Sequence, residues 1–210
     1  MQILEPRDRI RIAAHELVMQ YSIRSVSMDD IAAKIGMSKK TLYQYYKDKD
    51  ELIEAVVEGV LLHNKACCEA DRKTAKNAID EVFLSMDLMA EMFRSMNSSV
   101  IYDLHKYHPK AFQKFLNHKN DFIYNIIKNN LEKGIKEELY RSDINVEILS
   151  RYRVEIMLIP FNPDFTRILK STILEVEQEI ILHFLYGVVS LKGYKLILKY
   201  QADRKKLINK

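Results

Sequence analysis

Within one short run, Lys39, Lys40, Thr41, Tyr43 and Gln44 offer two ammonium groups, two hydroxyls and an amide. These are the donors and acceptors that bond phosphate oxygens and base edges. Helical spacing would set all five on the first turn and outer face of one short helix, with Leu42 and Tyr46 pointing inward. Ser38 stands where an N-cap is needed. Just upstream, Ser27 followed three positions later by Asp30 resembles a capping box, so Ser27 starts a helix from about Met28 to Lys34 with Ile31, Ala32 and Ile35 on its apolar face. Gly36 then ends it, because glycine enters the left-handed conformation without steric cost. Two short helices joined by a tight turn have helix-turn-helix geometry.

The elements around this unit follow from the apolar pattern. A first helix from about Arg7 to Tyr21, with Pro6 near its first turn, carries the stripe Ile10, Ala13, Ala14, Leu17 and Val18 that would pack behind the two short helices. Asp48 suits an N-cap for a fourth helix running through Leu52, Ile53, Val56, Val57, Val60 and Leu61.

The run Ile31-Ala32, Gly36-Met37-Ser38, Thr41-Leu42-Tyr43, Tyr45-Tyr46, Lys49 and Leu52 resembles the signature of the TetR family of bacterial transcriptional regulators. The resemblance covers roughly the first 60 residues. It implies an all-α chain: a helix-turn-helix DNA-binding domain over 1–62 and a helical ligand-binding and dimerisation domain over 63–210. It also implies that Tyr43 lies against the DNA backbone, that Lys49 holds a phosphate at the positive end of helix four, and that Ser27 and Thr41 are phosphate or base partners. Lys39 and Lys40 fall at the front of the reading helix as base readers, and Ser38 and Gln44 complete the set. The family further implies a repressor that binds a palindromic operator as a homodimer and is released by a small-molecule effector.

Composition agrees with this class. The chain has 210 residues, 48% hydrophobic and 30% charged, and its five Gly and four Pro leave little material for hairpins, so an all-helical fold is the natural reading. No apolar run reaches the length of a membrane span, and the N-terminus lacks the apolar core of a signal peptide, which places the protein in the cytoplasm as an expectation. Net charge is only +4, but Arg7, Arg9, Arg11, Arg24, Lys34, Lys39, Lys40, Lys47 and Lys49 all precede residue 50. A second cluster, Lys192, Lys195, Lys199, Arg204, Lys205, Lys206 and Lys210, reads as a solvated helical face, with auxiliary DNA contact as the other reading.

After a polar stretch from Lys65 to Thr74, read as a helix end plus loop, amphipathic helices are expected over about 75–96, up to Pro109, 109–133 closed by Gly134, 146–159 stopped by Pro160 and Pro163, 173–190 and 193–200. Phe83, Met86, Met89, Met92, Phe93, Tyr102, Phe112 and Phe115 are the candidate pocket lining, although such a stripe is as often plain core. Ile180, Ile181, Phe184, Leu185, Gly187 and Val188 are the candidate dimer face. Adjacent Cys67 and Cys68 do not suit a disulfide, and His105, His108 and His118 lack the neighbours of a metal site. No cofactor, metal or enzymatic constellation stands out. Two other readings stay open: a dimeric DNA binder with no small-molecule site, controlled by a protein partner, and a helical enzyme or scaffold that has lost operator binding.

Overall fold

The computed structural model describes residues 4–94, 96–162, 165 and 168–208. Helix α1 (Pro6–Tyr21) buries Ile10, Ala13, Ala14 and Val18 against α2 (Met28–Lys34) and α3 (Lys39–Tyr45). The capping box closes in both directions, with the Ser27 hydroxyl accepting from the Asp30 amide at 3.2 Å and the Asp30 carboxylate accepting from the Ser27 amide at 2.8 Å. Gly36 has φ +65°, the left-handed turn that separates α2 from α3.

Asp48 caps α4 (Lys49–Thr74), accepting from the Glu51 amide at 2.8 Å. The helix runs unbroken through residue 62 and to the end of the segment read as a helix end plus loop, which is a correction. Between Gly59 and Pro109 the sequence contains neither glycine nor proline, and Lys65, Ala66, Glu69, Ala70, Arg72 and Lys73 are strong helix formers. Polarity there marks a solvated helix, and the boundary between the two expected domains falls inside one continuous element.

The remainder comprises α5 (Ala78–Phe93), α6 (Val100–Tyr107), α7 (Pro109–His118), α8 (Tyr124–Lys136), α9 (Val146–Ile156), α10 (Ile173–Val188) and α11 (Leu191–Ile208). Helices α7 and α8 are joined without a break by one π turn, Lys119–Ile123. Gly134 does not close α8: the helix continues to Lys136, and Glu138 takes the left-handed turn at φ +58°. Gly134 instead makes room for the Tyr140 ring, since a Cβ there would stand 2.0 Å from a ring carbon. Helix α9 ends at Ile156, and a short 3-10 turn, Ile159–Phe161, contains Pro160; Pro163 lies outside the described residues. Helix α11 reaches beyond the expected 193–200 at both ends. Among the described residues there is no strand, only an isolated bridge between Tyr140 and Val189.

Two cores result. The first joins α1–α4 to α6 and α7 through Leu42, Leu52, Val100, Leu104 and Ala111; the second joins α5, α8, α10 and α11 through Ile79, Leu131, Leu185 and Ile197. Helix α6 is tied to the N-terminal unit by polar bonds as well: the Asp103 carboxylate accepts from the Arg24 amide at 3.0 Å, and the Asn97 amide donates to the Met19 carbonyl at 2.7 Å.

Candidate nucleic-acid interface and effector cavity

Helix α3 is held from behind by Leu42 and Tyr46, 0% and 1% exposed. The Tyr46 hydroxyl donates to the Arg7 carbonyl at 3.2 Å, and the Arg7 guanidinium stacks 4.9 Å from its ring centroid. In front, Ser38 caps the helix by accepting from the Thr41 amide at 3.1 Å, and the two hydroxyls lie 2.8 Å apart. Lys40, Tyr43 and Gln44 are exposed on the outer face. The Lys39 ammonium also reaches solvent but pairs with Asp29 at 2.8 Å, a surface ion pair of the kind that exchanges readily for another anion.

Two residues of the expected set face differently. The Lys49 ammonium turns inward and donates at 2.5 Å to the carbonyls of both Ile23 and Val26, and burial holds its pKa below the ordinary lysine value. In this conformation it ties the α1–α2 connection to the start of α4 and is not presented to a phosphate. The Ser27 hydroxyl is committed to Asp30, donating to its carboxylate at 2.6 Å, so its role here is that of a cap.

A cavity of about 300 Å³ lies among α4, α5, α7, α8, α9 and α10 and reaches the back of α1. Of the eight residues read as its lining, Met89, Met92, Phe93 and Phe115 line it. The other four do not. Phe83 and Met86 point into the second core, Phe83 meeting Tyr200 edge-on at 5.6 Å with Arg204 stacked 4.8 Å from its centroid. Tyr102 is exposed, and Phe112 packs between His105 and Phe115 toward the first core. The reason is helical phase: the cavity face of α5 is Val82, Ser85, Met89 and Met92, and the neighbouring face carries Ile79, Phe83 and Met86.

Sequence reading missed the polar part of this wall. Arg153 on α9 and Glu177 on α10, with side chains 8% and 3% exposed, form an ion pair at 2.6 Å. Burial pushes the Glu177 carboxyl up, against the pull of the Arg153 guanidinium. Their signal was present: Glu177 interrupts the apolar stripe Ile173, Ile181 and Phe184, and Arg153 falls beside Val154 on the inward face of α9. His118 bonds Asn64 at 2.9 Å, and burial first, then Lys65, keeps its imidazole below the usual 6.5.

The expected dimer face also divides. Ile181, Leu185 and Val188 are buried in the chain's own second core, a correction, while Ile180 and Phe184 are half-buried and Gly187 is open. The apolar side chains left outward are Tyr186 on α10 and Leu191, Tyr194 and Leu198 on α11, with Leu191 84% exposed. In the C-terminal basic cluster, Arg204 is engaged with Asp87, and Lys210 lies outside the described residues. Burial raises the Cys68 thiol to about 11, and Cys67 lies 3.5 Å from a ring nitrogen of His63.

Residues 10–56 match the family model described as bacterial regulatory proteins, tetR family. Over these residues the chain carries the DNA-binding region of the TetR family. It is 34% identical over 106 residues to the HTH-type transcriptional regulator YvaF of Bacillus subtilis, covering 50% of this chain and 55% of the relative, so the match spans about half of that protein's length. An HTH-type transcriptional regulator of Staphylococcus aureus is 37% identical over 54 residues, 26% of this chain and 29% of its own. Among solved structures, a TetR-family transcriptional regulator from Streptomyces coelicolor superposes with a TM-score of 0.65 at 20% identity, covering 86% of this chain and 92% of the other. A SmeT–triclosan complex gives 0.68 at 15% identity, covering 89% and 93%. The TetR fold thus extends over the C-terminal helices, where sequence similarity has faded.

Proposed function

We propose that this TetR-family chain is a transcriptional repressor that binds a palindromic operator as a homodimer and is released by a small molecule held in the cavity. The observation that carries this reading is the composition of the cavity wall: it includes His15, Val18 and Met19 of α1 and Ile53, Val56 and Val57 of α4. Those residues are the back of the unit whose front presents Lys40, Tyr43 and Gln44. An occupant therefore packs directly on the elements that aim α3, and differential affinity for two orientations of α4 is enough to couple the sites. The cavity favours a small-molecule effector over control by a protein partner alone.

One helix-turn-helix reads too few base pairs to select a site in a genome, so a dimer is required. The outward residues Tyr186, Leu191, Tyr194 and Leu198, beside the open Gly187, form the patch on which a second copy would close. No described helix is long and apolar enough to cross a membrane, and a cytoplasmic location suits the DNA-binding role.

The test is a mobility shift on the DNA upstream of the protein's own gene against scrambled competitor at about 0.15 M salt, where non-specific phosphate binding is damped. A discrete shift is expected, reduced for all sequences by Tyr43→Ala. Lys40→Ala should weaken the operator more than random DNA, and equal losses on both would remove Lys40 as a base reader. Failure on both this DNA and a random-sequence selection would overturn operator binding.

A further inference from the structure

Several of the charged and polar side chains around the cavity are satisfied by the protein itself. Glu81 pairs with Lys133 at 2.9 Å, Asn130 donates to the Ala78 carbonyl and accepts from Tyr140, and His118 bonds Asn64. Lys119, carried inward by the π turn, has its ammonium turned to the Val154 carbonyl at 3.5 Å and the Glu155 carboxylate at 3.4 Å. Arg153 and Glu177 differ in that each buries an atom left unmatched. They bond each other through Nη2 and Oε1 only, and among the described residues Arg153 Nη1 and Glu177 Oε2 are buried without a hydrogen-bond partner. The remaining buried side-chain atom of this kind, His108 Nδ1, lies outside the cavity and 2.7 Å from an Asp50 carboxylate oxygen. A native interior rarely leaves such groups unmatched, and here one is a donor and one an acceptor, both carried by residues of the cavity wall, so that a small side-chain adjustment would present them to an occupant.

From this we infer that the cavity takes an uncharged, largely apolar ligand bearing a hydroxyl head, whose oxygen accepts from Arg153 Nη1 and whose proton is donated to Glu177 Oε2. This rests on the cavity being the effector site. A hydroxyl supplies one donor and two acceptor positions on one atom, which suits two protein groups already held side by side by their own bond. A carboxylate head would stand against Glu177, and an ammonium head against Arg153, in a site where low polarity magnifies the repulsion. The Met, Phe, Ile and Val side chains that make up most of the wall offer nothing to a second polar group and take the ligand's body instead.

The experiment is displacement of the apolar fluorescent reporter N-phenylnaphthylamine from the full-length protein by n-decanol, decanoate and decylammonium, three ligands that share a chain and differ in head. Wild type should bind n-decanol about tenfold or more tightly than either ion, the loss expected when one buried polar group is left unmatched. Glu177→Gln, which keeps the shape and removes the negative charge, should shift the preference to decanoate. The double variant Arg153→Met/Glu177→Met replaces the pair by apolar side chains, a change that buried ion pairs commonly tolerate, and should bind the reporter as before but n-decanol about tenfold less tightly, its hydroxyl now unmatched. If Glu177→Gln does not fold, the double variant carries the test. Equal binding of the three heads by wild type, or n-decanol binding unchanged in the double variant, overturns the inference while leaving the effector cavity standing. If wild type binds neither the reporter nor any of the three, the cavity reading falls and the inference with it.

Discussion

The reading unit and the cavity wall use the same kinds of side chain in opposite ways. In the unit, each helix start is set by a bond across three residues: Ser27 with Asp30, Ser38 with Thr41 and Asp48 with Glu51. In the wall they bond across the chain, Arg153 with Glu177 at a separation of 24, Asn130 with Ala78 at 52 and His118 with Asn64 at 54. The helices of the unit are thus started by local capping, and α3 presents Lys40, Tyr43 and Gln44 to water, whereas the wall exists only when distant helices have packed. Long-range bonds make the cavity specific to this chain.

The contrast can be broken most strongly at the buried pair. Arg153→Met alone leaves Glu177 without its cation and should cost about 3–5 kcal/mol, whereas Arg153→Met/Glu177→Met should sit near wild type. Urea midpoints at one fixed protein concentration compare them, and equal losses would show that the pair does not act as a unit. Next comes Leu42→Ala, which removes a fully buried anchor of α3 and should cost about 2–5 kcal/mol. Tyr43→Ala one residue away should stay within about 0.5 kcal/mol on stability while weakening DNA binding. A large stability loss at Tyr43 would mean that the outer face of α3 is structural.

Ser27→Ala should cost about 1 kcal/mol, a capping loss confined to α2, and a greater loss would give the hydroxyl a role outside the box. The smallest effect is on pH dependence. His15 and His118 are held below the usual 6.5 chiefly by burial, so between their folded values and 6.5 the unfolded chain binds more protons. Their contribution is therefore complete above 6.5 and lost as the pH falls through the folded values. Replacing both by Gln should flatten the decline between pH 6.5 and 5 followed by urea titration, and an unchanged slope would assign it to carboxylates.

The same contrast explains what was readable in advance. The start of α2, the cap of α3, the inward Leu42 and Tyr46 and the cap of α4 all follow from residues a turn apart, and the sequence carries them openly. Helix positions in the C-terminal part followed from apolar periodicity, but their facing did not. Helices α5 and α10 are apolar on more than one side, so periodicity alone does not say which of Phe83 and Met89 meets the cavity or which of Leu185 and Tyr186 is left outward. Lys49 shows the complementary gap: its motif position implied a phosphate, and only the folded path of residues 23–26 supplies the carbonyls that turn it inward.

The unbroken length of α4 has a mechanical consequence. Its 26 residues span roughly 39 Å at the helical rise. A stiff rod of that length works as a lever: a tilt of about 5° where it borders the cavity sweeps its far end through roughly 3 Å. In the proposed dimer two such levers would add their sweeps, and the reading helices would have to match successive major grooves about 34–36 Å apart. On the proposed reading, a ligand that repacks a few methyl groups would change a ruler, and the operator would be recognised or rejected by length.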